Sequence, residues 1–238
     1  MIDSRNKRPE FRNEKTPAFL HGQITINIMF LKRNNKASLN RNLPRPGYPC
    51  IGDKMNYYLI FGRLQKNEAS FKELEPKKLN FPHPAYALHQ KRSLIQVKEN
   101  YDERGMSDFL KKGIGLLASS KVQQIFFKHG FTGLQFLPVY VKNEKDFIDY
   151  AFINPIAHYD LLDPIASEAE DFTDSLGGFS FVFDQIIDRR KFDATKIEHD
   201  CFTLSTYKSN YYVSEPVKLA LEAAGITGIT FIPMEFSS

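Results

Sequence analysis

The chain has 238 residues, of which 42% are hydrophobic and 25% are charged. This composition excludes a chain that is disordered over most of its length and predicts a globular protein of one sizeable domain or two small ones. Two cysteines, Cys50 and Cys201, are too few for a disulfide framework and indicate a reducing, cytoplasmic environment. The longest early apolar run, residues 24–31, is much shorter than the roughly 20 residues a bilayer requires, so we expect no membrane-spanning helix.

The net charge of +4 is unevenly distributed. Residues 1–54 contain 11 Lys and Arg against 4 Asp and Glu, whereas residues 55–238 contain 21 against 24. The first segment is also rich in Asn, Arg and Pro, and we interpret it as a basic, flexible N-terminal extension. The alternative is a nucleic-acid-binding arm that neutralises phosphates, although we consider nucleic acid an improbable partner.

The compact domain is predicted to begin at Met55, where MNYYLIFG is typical of a first strand. The sequence SLIQV at residues 93–97 predicts a second strand of the same region, after a proline-rich loop. We therefore expect one domain over residues 55–238, with lobes at 55–105 and 106–238.

The sequence also contains an internal repeat. GFTGLQFLP at residues 130–138 is followed 95 positions later by GITGITFIP at residues 225–233. Over the twenty positions that begin at Ser119 and Ser214, seven residues are identical. This similarity predicts one structural unit that occurs twice.

Each copy has the signals of a short capped helix between two strands. Apolar residues recur at helical spacing from Val122 and again from Val217. Ser119 and Ser214 occupy the N-cap position, and Pro216 lies in a first turn, where its missing N–H is tolerated. Each helix is predicted to stop at a left-handed glycine, and the two glycines are Gly130 and Gly225. Apolar strands should follow at residues 134–141 and 229–234.

Between the copies we predict strands at residues 147–154 and 156–162, in GGFSFVFDQII from Gly177 and in CFTLST from Cys201. Alternation should place the rings of Phe179, Phe181 and Phe183 on one face. Because strands outnumber the short helices, the predicted class is α+β, with a strand-rich mixed or antiparallel sheet and two similar strand-helix-strand units. Exposed strand edges of such a fold would also allow a homodimer.

The run DLLDPIASEAEDFTD contains six acids and no basic residue. Its order does not match a calcium-binding loop, and we expect no metal site. Our hypothesis is a surface that orients a basic protein partner; the alternative is an ordinary solvated loop. The six candidate partner-binding residues are Asp160, Asp163, Glu168, Glu170, Asp171 and Asp174.

Common catalytic signatures are absent from the sequence. His158 and Asp160 would share a face of a strand, and His199 precedes Cys201, so a small hydrolase or nuclease using His158, Asp160 and His199 is an alternative. Adjacent strand residues point to opposite faces, however, and Cys201 opens an apolar run where a small buried residue fits. We therefore predict no catalytic residues.

The order of these segments resembles a family of bacterial immunity proteins from polymorphic toxin systems, the eleventh immunity family in common naming. The resemblance covers residues 55–236 and is carried by MNYYLIFG, by FIDYAFINPIAHYDLLDPIASEAE and by DCFTLSTYKSNYYVSEPVKLALEAAGITGITF. It implies a cytoplasmic protein that binds and neutralises the C-terminal domain of a cognate toxin. The acidic run adds the hypothesis that this toxin is a basic nuclease. The resemblance also implies that the protein is not an enzyme and needs no cofactor.

Overall fold

A computed structural model describes residues 55–62, 71–75, 93–97, 106–112, 115–143, 146–171 and 178–238. The basic extension predicted for residues 1–54 lies outside these ranges, and so does Asp174.

The described residues form fifteen strands and three helices, which confirms the predicted α+β class. The helices are short, at six to ten residues, so strands make up most of the regular secondary structure in the described ranges. The strands are β1 (Tyr57–Gly62), β2 (Phe71–Glu75), β3 (Ser93–Val97), β4 (Phe109–Lys112), β5 (Gly115–Ser119), β6 (Leu134–Asn143), β7 (Asp146–Pro155), β8 (His158–Tyr159), β9 (Ala169–Asp171), β10 (Phe179–Val182), β11 (Ile186–Ile187), β12 (Cys201–Leu204), β13 (Tyr211–Ser214), β14 (Ile229–Pro233) and β15 (Glu235–Phe236). The helices are α1 (Ser120–His129), α2 (Arg189–Ala194) and α3 (Glu215–Ala223).

The strands form two larger sheets and two small ribbons. The six-stranded sheet has the order β2-β3-β6-β7-β5-β4, and the five-stranded sheet has the order β14-β1-β13-β12-β8. The ribbons are β9 with β10 and β11 with β15. Most pairs are antiparallel, but β3 with β6, β8 with β12 and β11 with β15 are parallel. Strands β1 and β3, expected in one lobe, therefore belong to different sheets.

The middle strands of the two larger sheets correspond to each other. In the first sheet β7 lies between β5 and β6, and in the second sheet β1 lies between β13 and β14. Residues of β5 and β6 pair with β7 in the same register in which the residues 95 positions later, in β13 and β14, pair with β1. The corresponding pairs are Ser119 with Tyr150 and Ser214 with Tyr57, then Phe136 with Ile153 and Phe231 with Ile60. The first strand of the domain thus completes the sheet of the C-terminal repeat.

The central hydrophobic core follows the same correspondence. All twelve of its buried residues fall into six pairs of equivalent positions, one from each sheet and its helix. The pairs are Ile60 with Ile153, Phe109 with Cys201, Leu116 with Tyr211, Ala118 with Val213, Val122 with Val217, and Phe126 with Leu221. Full burial of a large apolar side chain stabilises a fold by about 1.5–3 kcal/mol. This shared core is therefore a main source of the stability of the domain.

Alternate residues of the same strands form a second cluster on the opposite face of each sheet. In the second sheet we call it the outer cluster; it contains Phe202 and Tyr212, whose rings stack at 5.2 Å between centroids. Leu161, Val182 and Ile187 pack into the same cluster. The segment that contains the acidic run is therefore anchored on the outer face of the second sheet.

The predicted helix ends are confirmed at both glycines, because Gly130 and Gly225 follow the helices with φ of 67° and 62°. The predicted N-caps differ from each other. The Ser119 hydroxyl accepts a hydrogen bond from the Val122 N–H at 3.4 Å, whereas Ser214 occupies the N-cap of α3 without a side-chain cap bond.

The Thr-Gly turn that follows each helix contacts an aspartate just before a strand of the other sheet. Asp200 precedes β12, and Asp108 precedes β4. Both the N–H and the hydroxyl of Thr132 donate to Asp200 Oδ2, at 2.8 and 2.9 Å. Thr227 makes the same two bonds to Asp108 Oδ2, each at 3.1 Å. We call these the two Thr-Gly clasps.

The second glycine of each turn permits this close approach. Gly133 and Gly228 have φ of 97° and 89°, which a residue with a side chain rarely adopts. A Cβ atom on Gly133 would overlap the carbonyl of Cys201, and one on Gly228 would overlap the carbonyl of Phe109. The repeated Thr-Gly dipeptide is therefore explained by contact between the two repeats.

Candidate functional site

The acidic run does not form one uniform loop. Asp160 is exposed and pairs with Lys191, whose Nζ lies 3.2 Å from Oδ1. Asp163 accepts hydrogen bonds from the N–H groups of Ile165 and Ala166, both at 3.1 Å. The bond from Ala166, with a smaller contribution from Ser237, lowers the pKa of the Asp163 carboxyl below its ordinary value. These two acids thus have structural partners within the protein.

Two of the later acids in the run are exposed on the surface. Glu168 and Glu170 have exposed side chains, and Asp171 ends strand β9. Glu168 has a φ of 45°, which is unusual for a residue other than glycine. The carboxylates of Glu168 and Glu170 are therefore accessible to a partner, as is that of Asp160 beside Lys191.

Large apolar side chains accompany these acids on the surface. Ile165 is 88% exposed, Phe183 is 68% exposed and Phe181 is 50% exposed. Phe181 lies opposite Glu170 in the β9/β10 ribbon, and its ring centroid is 6.5 Å from that of Phe183. Exposed apolar groups that lie together on a surface commonly mark interaction sites.

The prediction that Phe179, Phe181 and Phe183 share one face is wrong. The register of the ribbon shifts between Phe179 and Phe181, so two residues of β10 oppose one residue of β9. As a result Phe179 and Val182 pack against the outer cluster, whereas Phe181 is half-exposed. The bulge turns apolar side chains outward that a regular strand would have placed with Phe179.

The turn from Asp163 to Ser167 is firmly held. The buried Ser167 hydroxyl donates to the Ile186 carbonyl and accepts from the Ile186 N–H, each at 3.1 Å. The Ser167 N–H donates to the Asp163 carbonyl at 3.0 Å, and the Ser167 carbonyl accepts from the Phe183 N–H at 3.2 Å. These bonds join the turn to the segment that carries Phe183.

We define the acidic-apolar surface as the exposed residues of these hydrogen-bonded segments. Its members are Ile165, Glu168, Glu170, Phe181 and Phe183. A cleft of about 500 Å³ adjoins this surface, because Phe183 also lines the cleft, together with Lys111, Asp184, Tyr207, Asn210 and Glu235.

The residues of the hydrolase alternative have separate partners. His158 Nδ1 lies 2.8 Å from the Thr203 hydroxyl, and His199 Nδ1 lies 2.8 Å from the Tyr159 hydroxyl. Asp160 is paired with Lys191, as described above. These hydrogen bonds join neither histidine to Asp160, although a catalytic set would need such a link.

Cys201 is fully buried in the central core, as its place in an apolar run predicts. Burial raises the pKa of the Cys201 thiol well above its ordinary value, and the nearby Asp200 carboxylate adds to the effect. The thiolate is the nucleophilic form of cysteine, so this environment suits a packing role.

The described residues were also compared with the requirements of a metal site and of a membrane span. Within them, no group of three His, Cys, Asp or Glu side chains is placed to hold a metal ion. In that same part of the chain, no helix has the length and apolar character needed to cross a membrane.

Sequence reasoning missed the exposed apolar part of the surface. The sequence DPIAS contains a turn signal, since Asp followed by Pro favours a turn. That signal could have located the Asp163–Ser167 turn, but an isoleucine in an acidic loop does not by itself indicate exposure.

Comparison with known proteins does not identify a family for this chain. The chain matches no protein-family profile and no curated protein sequence.

Proposed function

We propose that the protein is an immunity protein that binds and neutralises the C-terminal toxin domain of a secreted bacterial protein. On this proposal it acts in the cytoplasm of the cell that makes the toxin, without turnover and without a cofactor. The sequence resemblance described above motivates the proposal. The acidic-apolar surface is the structural observation that supports it.

The surface has the composition of a protein-binding site. Interfaces combine a central apolar contact with a polar rim, and Phe181 and Phe183 with Glu168 and Glu170 supply both parts. A toxin that cleaves nucleic acid is basic where it holds phosphate. Carboxylates that cover such a surface would steer association and compete with the substrate.

On this proposal a secreted toxin is encoded beside this gene, and the test uses the C-terminal domain of that toxin. We expect the two proteins to copurify, and we expect cells that express the toxin domain to survive when this protein is coexpressed. Glu168→Lys with Glu170→Lys should slow association roughly tenfold at low salt, because reversal of two rim charges turns attraction into repulsion. Stopped-flow association rates at several salt concentrations measure this effect.

Glu222→Lys is the matched control, because it reverses an exposed acid on α3, away from this surface. Its association rate should stay close to that of the wild type. Failure of the wild-type protein to bind or protect would overturn the proposed function. Binding that is insensitive to the Glu168 and Glu170 reversals would place the interface elsewhere.

A further inference from the structure

We infer that the Asp163–Ser167 turn is a preformed anchor that inserts the Ile165 side chain into an apolar pocket of a basic protein partner. This inference rests on the proposed function, for which it names the central contact and the chemistry of the partner.

Ile165 is unusually exposed for a large apolar residue. Its side chain is 88% exposed, more than that of any other large apolar residue among those described as exposed. A single exposed isoleucine is ordinary, but this one lies on a segment hydrogen-bonded to that of the exposed Phe183. Ile165, Phe181 and Phe183 are thus exposed apolar side chains on hydrogen-bonded segments, and exposed apolar groups of this kind are what interfaces bury.

The backbone of the turn that carries Ile165 is held rigidly. The turn is closed by Asp163, which accepts from the N–H groups of Ile165 and Ala166, and it is tied to β11 by the buried Ser167 hydroxyl. Isoleucine is branched at Cβ and has few χ1 rotamers. An anchor residue on a backbone that is already fixed costs less entropy on binding than one on a flexible loop, and such preorganisation strengthens a complex mainly by slowing its dissociation.

A negative charge lies close to Ile165 in the sequence. Glu168 follows Ile165 on the same turn, and its N–H donates to the Ile165 carbonyl at 3.1 Å. This bond fixes the backbone that carries the Glu168 carboxylate. The complementary site on the partner is an apolar pocket with Lys or Arg at its rim, which agrees with a basic toxin domain.

The experiment separates the anchor from the charged rim by kinetics. The probe is the purified C-terminal domain of the toxin that the proposed function places beside this gene, bound to the full-length protein on a biosensor surface. Ile165→Ala should raise the dissociation rate about 10- to 100-fold, with little change in the association rate. Charge reversal at Glu168 should instead act mainly on the association rate.

Asp163 provides a second test, because it is a positioning residue. Asp163→Ala removes the acceptor that closes the turn and should raise the dissociation rate several-fold, whereas Asp163→Asn retains an acceptor oxygen and should restore much of the loss. Circular dichroism of each variant checks that the domain is folded. Leu219→Ala is the matched control, since Leu219 is also exposed (55%) but lies on α3.

The outcomes are distinguishable. If the wild-type protein does not bind the toxin domain, the proposed function and this inference both fail. If the wild type binds and Ile165→Ala dissociates at the same rate, only the inference fails. Equal losses in Ile165→Ala and Leu219→Ala would also overturn it, because the effect would not be specific to the turn.

Discussion

The two repeats form the same arrangement of strands around one helix, but from different parts of the chain. The first repeat, from β4 to β7, is continuous, with its middle strand β7 supplied directly after β6. The second repeat, from β12 to β14, takes its middle strand β1 from the beginning of the domain. The register is nevertheless the same in both, so the fold depends on strand position within the sheet rather than on chain order.

The comparison also shows how the repeats depend on each other. Each Thr-Gly clasp connects the end of a helix in one repeat to the aspartate just before the first strand of the other, and the central core takes one residue of every pair from each side. Neither repeat can complete its contacts alone. We therefore expect the domain to unfold as one cooperative unit, unlike an array of separate repeats.

The largest expected effect comes from the glycines of the clasps. Gly133→Ala and Gly228→Ala should each lower the free energy of unfolding by roughly 3–5 kcal/mol, because the new Cβ meets a backbone carbonyl and the positive φ is strained. Urea unfolding followed by circular dichroism measures the loss. Similar losses at both positions would support equivalent roles in the two repeats.

Gly130→Ala is the control for this pair. Gly130 also has a positive φ, but a Cβ atom there would have no neighbour within 4 Å. We expect it to cost only about 1–2 kcal/mol, the penalty of the left-handed conformation alone. If Gly133→Ala costs no more than Gly130→Ala, close packing against the Cys201 carbonyl is not what selects the glycine.

An intermediate effect should distinguish the two aspartates. Asp200 is buried, whereas the Asp108 side chain is 17% exposed. Asp200→Ala leaves the part-buried N–H and hydroxyl of Thr132 without their acceptor and should cost roughly 2–4 kcal/mol. Asp108→Ala should cost about 1–2 kcal/mol, because water can replace the lost acceptor. Both values are free energies of unfolding from urea titrations.

A double variant checks the cause of the larger loss. Thr132→Val removes the hydroxyl that Asp200 accepts from, so Asp200→Ala with Thr132→Val should lose less than the sum of the single changes. Strict additivity would contradict the clasp. An Asp108→Ala loss as large as that of Asp200→Ala would contradict the role assigned to burial.

Local features of the fold could be predicted from the sequence. The 95-residue shift located α1 and α3 with their glycine stops, and SLIQV coincides with β3, because helix ends and apolar strands have short-range signals. Strand pairing could not be predicted, since β1 and its partner β13 are about 150 residues apart in sequence. The short helix α2 was missed because it has no buried residue to form a stripe.

The candidate site was predictable only in part. The acidic run led to the hypothesis of a partner-binding segment, but sequence alone could not show that Asp160 pairs with Lys191 or that Asp163 closes a turn. Nor could alternation reveal the exposure of Phe181, because a bulge interrupts the β10 register. These properties depend on tertiary contacts that no local pattern encodes.

The smallest expected effect separates the two N-cap serines, the point where the repeats differ most subtly. The Ser119 hydroxyl accepts from Val122 N–H and donates to Asp108 Oδ1 at 2.9 Å, so Ser119→Ala should cost about 1 kcal/mol. Ser214 is buried, and its hydroxyl has no hydrogen-bond partner among the residues that the structure describes. Removal of an unsatisfied buried hydroxyl costs little, so Ser214→Ala should leave the free energy of unfolding unchanged or slightly raise it. Replicate urea titrations resolve this difference, and an equal loss in both variants would mean that the serine of α3 also caps its helix in solution.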